Sequence, residues 1–200
     1  GHEQVLKDFT DREHIIIGTT KHNSSLIEPG YVNHGGGGAG SIGLLEGNGE
    51  AIAHIAETFT RCGFETTVSD CVKKSVWKKL FINVSASVMT GILQTSLDFI
   101  SESDHAWILT ERLVREAVSV ANADHMGFDA DEIVAEVRDL VDHAHNGYTS
   151  IYADLRNGVR TEVDTISGAV VAEAKRLGVA APAHAFVTEL VHAMEDRNGI

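Results

Sequence analysis

This sequence is poor in the residues that staple a fold or bind polyanions. It has two cysteines and two prolines among 200 residues. Two cysteines cannot make a disulfide framework, and the neighbours of Cys62 and Cys71 offer no second thiol at metal-ligand spacing. Both read as free thiols of a reducing compartment, hence a cytoplasmic setting. Basic residues are also short: 16 Lys plus Arg face 29 Asp plus Glu, a formal net charge of −13. That argues against a nucleic-acid face and against a polybasic membrane patch. No apolar run approaches the ~18 residues that suggest a membrane span. The start, Gly1-His2-Glu3-Gln4-Val5, shows neither an initiator Met nor a signal-peptide pattern. With few prolines and clean periodic segments, disorder is a poor description. A chain of this size buries roughly 70% of its unfolded surface, so a core forms without staples.

The chain divides into two unlike parts. Residues 1–74 carry α/β texture. Val5 to Phe9 is a short helical stretch, and Ile15-Ile16-Ile17-Gly18-Thr19-Thr20 is a β-branched run that predicts a buried strand. Glu28-Pro29-Gly30 is a turn. Tyr31–His34, the run Gly35–Gly40 and Ser41–Leu44 read as strand, loop and strand. Glu50–Arg61 predicts a helix with Ile52, Ile55, Ala56 and Phe59 on one face and Gly63 as its stop. Phe64–Val68 alternates like a half-exposed strand. Residues 75–200 form an all-helical part. Its helices are expected near Val72–Leu93, Asp104–His125, Asp129–Ala144, Thr149–Leu155, Thr161–Leu177 and Pro182–Asp196. Ile133, Val134, Val137, Leu140 and Val141 make the stripe of the third, and Thr161 with Asp164 suggests a capping box for the fifth.

Several features bear on chemistry. The glycine run could wrap a phosphate, yet it leads into another strand rather than a helix, so a hairpin loop is the better reading. The eleven histidines show no helical metal pair, and surface or turn positions are expected for them. No metal site is expected. In the first helix of the second part, Lys79, Asn83 and Ser87 recur at i, i+4 and i+8, one polar stripe on an otherwise apolar helix. A Lys facing inward from such a helix needs a partner, water or a lowered pKa. The alternative is that it snorkels to solvent, and spacing alone does not decide between them. Further on, Thr149–Asp154 and Arg156–Asp164 gather polar groups at a corner, with Glu162 expected in the first turn of a helix. Such a corner can hold a ligand, although simple capping is the plainer reading.

Together the two groups resemble a known family. Trp77-x-Lys79-Leu80-x-x-Asn83, followed by Ser150-x-x-x-Asp154-x-x-x-Gly158-x-x-Thr161-Glu162-x-Asp164-x-x-x-Gly168 and by Gly178-Val179-x-x-Pro182, is similar to ketopantoate reductase (2-dehydropantoate 2-reductase). Gly18-Thr19-Thr20-x-His22 and Gly30-x-Val32-x-His34 resemble the second half of that family's nucleotide-binding domain. The resemblance implies a Rossmann-type NADP-binding domain, followed by an all-helical domain resembling the C-terminal domain of 6-phosphogluconate dehydrogenase. It implies an active site between the two and NADPH-dependent reduction of a 2-oxo acid, ketopantoate to pantoate, in pantothenate and coenzyme A biosynthesis. Lys79 would be the general acid. Asn83 and Ser87 would hold polar groups of the substrate, Ser150 its carboxylate and Glu162 its hydroxyl. The partner is a small 2-oxo acid, with no nucleic acid or membrane, and a homodimer is compatible.

Two departures stand out. The family commonly has a second Asn one turn beyond Asn83, where this chain has Ser87. No Gly-x-Gly-x-x-Gly follows a first strand; of the family's glycine loop only Gly1 remains as a cofactor-binding residue. The expectation is therefore a reductase truncated at its N-terminus, inactive as this piece. A reductase of another 2-oxo acid and a non-catalytic helical oligomerisation or ligand-binding module are the alternatives.

Overall fold

A computed structural model describes every residue except 1–4, 48, 145 and 146, and only the backbone of Asn23. Gly1, expected to touch the cofactor, lies outside the described residues. The chain divides into two compact units, Gly1–Trp77 and Lys78–Ile200.

The first unit holds two small sheets. Strands β1 (Ile16–Thr19), β4 (Gly40–Leu44) and β5 (Thr66–Val68) form one, in the order β1-β4-β5. β1 runs antiparallel to β4, with Ile16 opposite Leu44, and β4 runs parallel to β5, with Ile42 opposite Val68. Parallel neighbours need a crossover, and α1 (Glu50–Arg61) supplies it. Ile52 and Ala56 are its buried face, while Phe59 is exposed. Gly63 follows at φ +94°, a left-handed position suited to ending a helix. β1 is less buried than its sequence predicts: Ile15, just before it, is 2% exposed, but Ile16 is 37% exposed. Among the described residues β1 has one partner, so it is an edge strand.

The second sheet corrects the reading of the glycine run. β2 (Asn23–Glu28), a strand to which the sequence pattern assigns no element, pairs antiparallel with β3 (Tyr31–Gly36) around the Pro29-Gly30 turn. Gly30 has φ +85° there. β3 absorbs Gly35 and Gly36, and the remaining glycines pass the chain to β4 in the other sheet. The run links two sheets; it is not the loop of a hairpin. Its strand half is legible only once β2 is present as a partner, because an isolated Gly-rich segment has weak strand preference.

The second unit is helical. The predicted single helix Val72–Leu93 is three pieces in succession: α2 (Val72–Ile82), a π-helical stretch Asn83–Ser87, and α3 (Val88–Leu93). There follow α4 (Leu97–Glu102), α5 (Asp104–Ala123), α6 (Ala130–Asp142), α7 (Ser150–Arg156), a 3₁₀ turn Val163–Thr165, α8 (Ser167–Leu177) and α9 (Pro182–Asn198). α5 packs against the π stretch, α6, α8 and α9. Its buried face includes Leu113, Val114, Ala117, Val118 and Ala121. Side-chain caps fit the sequence: Ser103 accepts from the Ala106 N–H, and Asp129 from those of Asp131 and Glu132. Pro182 occupies the first turn of α9, where a missing N–H costs nothing. On α6, Ile133, Val137 and Val141 are buried, but Leu140 is 54% exposed. The stripe is narrower than predicted. Among the described residues no helix is long and apolar enough to cross a membrane.

Candidate active site

The π stretch is the local feature around which the candidate residues gather. Its i→i+5 hydrogen bonds put an additional residue into the turn, and such insertions recur at functional sites. Here the insertion spans Asn83 to Ser87, two of the predicted site residues. The surroundings change along the stripe. Lys79 is exposed, Asn83 is half-buried and Ser87 is 7% exposed. The helix is therefore not apolar all round from its start. Val84 to Gly91 are all buried, whereas α2 is amphipathic, with Leu80 and Ile82 half-exposed. Lys78, beside Lys79, is also exposed and pairs with Glu136 at 3.2 Å.

Ser150 is brought beside this stretch by threonines. Thr149 caps α7, its hydroxyl accepting from the Tyr152 N–H. The same hydroxyl lies 2.8 Å from that of Thr90 and 3.3 Å from the Ser87 carbonyl, which also accepts from the Thr90 hydroxyl at 2.9 Å. A bond between Thr149 and the π stretch fixes where α7 begins, and Ser150 is its first residue. Ser150 is exposed. Asp154 follows one turn later on the same face of α7. Its carboxyl titrates above the ordinary carboxylate range, through partial burial first and the nearby charge of Glu162 second. Asp154 belongs to the same family-like pattern, four residues after Ser150.

Glu162 is exposed, but it is not in the first turn of a helix. α8 begins at Ser167, and the expected Thr161–Asp164 capping box does not form. Thr161 is instead buried, with its N–H and hydroxyl donating to Glu195 Oε1 at 2.7 and 2.8 Å. A tertiary acceptor has outcompeted the local cap. The Glu162 carbonyl closes the 3₁₀ turn by accepting from Thr165 and Ile166.

The histidines are less ordinary than expected. His22 and His34 meet across the β2–β3 region with ring nitrogens 3.0 Å apart, although twelve residues separate them. His184 is fully buried, and its Nε2 lies 3.0 Å from the Leu113 carbonyl. His192 bridges two carboxylates. Asp11, Glu13 and His14 could reach one ion, but all three are exposed in an open turn. A pocket of about 330 Å³ in the first unit is lined by Gly18, His22, Gly40, Phe59 and Phe64 among others. The strand-to-helix passage from β4 enters α1 at Glu50, whose negative charge in the first turn opposes a phosphate there. The N-terminus of α1 therefore does not suit a dinucleotide's phosphates.

Fold and site together describe a helical unit with polar groups on α2, the π stretch, α7 and the Thr161–Asp164 segment. Residues 72–195 match the family model described as ketopantoate reductase PanE/ApbA C terminal, and the chain belongs to the ketopantoate reductase family. It is 32% identical to 2-dehydropantoate 2-reductase of Halobacterium salinarum, over all of this chain and 65% of that protein. To the protein of the same name from Lactococcus lactis it is 30% identical, over 98% of this chain and 64% of the relative. The chain therefore spans just under two thirds of the curated relatives it matches. Among solved structures, D-mandelate dehydrogenase with NADH and anilino(oxo)acetate superposes with a TM-score of 0.92 at 30% identity, covering all of this chain and 66% of that one. The 2-dehydropantoate 2-reductase of Geobacter metallireducens gives 0.89 at 26% identity, over 96% of this chain and 65% of that one.

Proposed function

We propose that the protein to which this chain belongs reduces ketopantoate to pantoate with a nicotinamide cofactor, NADPH, in pantothenate synthesis. The observation that carries the reading is the threonine bridge between the π stretch and α7. It ties the start of α7, where Ser150 lies, to the π stretch that carries Asn83 and Ser87. Relatives named 2-dehydropantoate 2-reductase over the whole chain support it.

In this reading a reduced nicotinamide cofactor, when bound, would supply a hydride, and the residues of this chain would supply substrate contacts and a proton. Asn83 and Ser87 hold polar groups of the 2-oxo acid, and the hydroxyl of Ser150 donates to its carboxylate. Glu162 accepts from the substrate hydroxyl. Lys79 donates its Nζ proton to the oxygen that was the ketone, and its charge stabilises that oxygen as electrons reach it. The β4–α1–β5 unit is read as the C-terminal part of a Rossmann-type domain over residues 1–74, with the substrate domain in 75–200.

A second reading, reduction of another 2-oxo acid, draws on Ser87. A serine reaches less far than the Asn usual at this position and offers fewer hydrogen bonds. It leaves more room beside the substrate. The test is oxidation of NADPH and of NADH by the full-length protein with ketopantoate, pyruvate and phenylglyoxylate, the 2-oxo acid of mandelate. Highest kcat/KM for ketopantoate with NADPH is expected. A preference for phenylglyoxylate selects the second reading, and no turnover with any of the three overturns both.

A further inference from the structure

Glu162 sits on a segment that α9 grips at both ends. The residue before it, Thr161, donates twice to Glu195 Oε1. Two residues after it, Asp164 Oδ1 lies 2.9 Å from His192 Nε2. The two grips are joined, because His192 Nδ1 lies 2.9 Å from Glu195 Oε2. Both partners of the imidazole are carboxylates, which accept and do not donate when ionised. Each ring nitrogen must then carry a proton, and His192 is an imidazolium. Glu195 is 4% exposed, and a carboxylate so buried needs donors and a countercharge. Thr161 supplies the donors, and His192 supplies the charge.

We infer that His192 and Glu195 form a charged clamp that positions Glu162 for substrate. The inference rests on the reading of Glu162 as a substrate ligand. His192 and Glu195 do not touch substrate in it; they are positioning residues. The arrangement is a through-residue relay: α9 to Thr161 and Asp164, and through the backbone between them to Glu162. The 3₁₀ turn closes on itself through the Glu162 carbonyl, but α9 holds both of its ends, so loss of either grip frees the segment that carries Glu162.

The clamp has a pH response. The charged groups facing His192 are Glu195 on its own helix and Asp164 on the 3₁₀ turn. Arg160, from the preceding loop, stands 3.8 Å from the other oxygen of Asp164 and competes for it. The bond to Glu195, foremost, and that to Asp164 raise the His192 pKa above its ordinary 6.5, against the opposing effect of burial. Burial alone would raise the Glu195 pKa, but the Thr161 and His192 bonds hold it below its ordinary 4.5. The clamp is therefore closed below the raised His192 value. It opens when pH rises through the His192 value, because a neutral ring has one N–H for two carboxylates.

The test uses the full-length protein and compares His192→Gln, His192→Lys and Glu162→Gln. His192→Gln is expected to raise KM for the 2-oxo acid about 10–100-fold, the scale of a small misplacement of a positioned group, with kcat and cofactor KM within about twofold. His192→Lys keeps a cation that donates to both carboxylates. Its KM should stay near wild type and remain flat to pH 9, where the wild-type KM rises. If Glu162→Gln raises KM and His192→Gln does not, the clamp is overturned and the substrate reading stands. If Glu162→Gln leaves KM unchanged, the substrate reading fails and takes the clamp with it. Should a variant not fold, ¹⁵N spectra of the wild-type imidazole at pH 7 decide: protons on both ring nitrogens are expected, and a neutral His192 overturns the clamp.

Discussion

Gly91 on α3 faces Ile151 on α7 with no room for a methyl group between them. A Cβ on Gly91 would collide with Ile151 Cγ2 and lie 3.3 Å from Ile151 Cβ and 3.4 Å from its backbone carbonyl carbon. Alanine favours a helix over glycine by up to about 1 kcal/mol. Overpacking costs typically about 1–3 kcal/mol and should win here, because Ile151 is 1% exposed and branched at Cβ. Gly91→Ala should lower stability by about 1–2 kcal/mol on balance. Displacing α7 also moves Thr149 off the π stretch, so KM for the 2-oxo acid should rise. Urea midpoints and steady-state kinetics on the full-length protein check both; an unchanged midpoint would mean that α7 is free to slide.

Lys78 and Lys79 are adjacent and both exposed, yet they are expected to behave differently. In the full-length enzyme, Lys79→Ala should lower kcat by about 10²–10⁴-fold, the usual contribution of a positioned general acid, while cofactor affinity is kept. Lys78→Ala removes an exposed pair with Glu136. Such pairs contribute at most about 1 kcal/mol, and kcat should be normal. Equal losses in both variants, or a larger one at Lys78, would sink the assignment of the acid.

Glu116 on α5 caps another helix. Its two carboxylate oxygens accept from the N–H groups of Ala183 and His184, at 3.0 and 2.8 Å, in the first turn of α9. The sequence around Pro182 offers no local side-chain cap. Glu116→Ala should cost about 1–2 kcal/mol, the upper part of the range for a lost N-cap, measured by chemical denaturation. Because α9 carries His192 and Glu195, KM for the 2-oxo acid should rise with it.

His184 makes the second unit sensitive to mild acid. Burial lowers its pKa below 6.5, against the opposing effects of Glu116 and the Leu113 carbonyl. A histidine with a depressed folded pKa stabilises the fold fully above its unfolded value. That stability is lost as pH falls below 6.5 toward the folded value, since the unfolded chain takes up the proton first. The denaturation midpoint should therefore decline below about pH 6.5. His184→Gln should flatten that decline. An unchanged slope in the variant would show that another group carries it.

Much of the helical unit is legible without coordinates. Asp129 and Gly127, Pro182 and Gly178 mark helix ends by local chemistry, and the apolar periodicity of 133–141 identifies the core face of α6. The candidate residues are legible only as a pattern: Lys79, Asn83, Ser150 and Glu162 stand out because their spacing resembles a family, not because composition demands them. The π stretch is invisible in sequence, since Asn83–Ser87 has no distinctive residue, and its extra residue is accommodated by the partners buried around it. β2 is illegible in sequence for a related reason. Ser24 and Ser25 have little strand preference until β3 lies alongside.

What the sequence by itself determined are choices made between near neighbours along the chain: helix stops, the cap at Asp129, the periodicity of α1 and the polar stripe. What tertiary structure alone decided are the choices between competing partners. Thr161 had a local use as a helix cap and was taken by Glu195, a residue on another helix 34 positions away. His192 is an ordinary helical histidine in sequence, and only the approach of Asp164 gives its ring two carboxylates. The physical reason is common to both. A hydrogen-bonding group buried by packing must be satisfied by whatever that packing brings within about 3 Å, and local spacing carries no record of which distant carboxylate that will be.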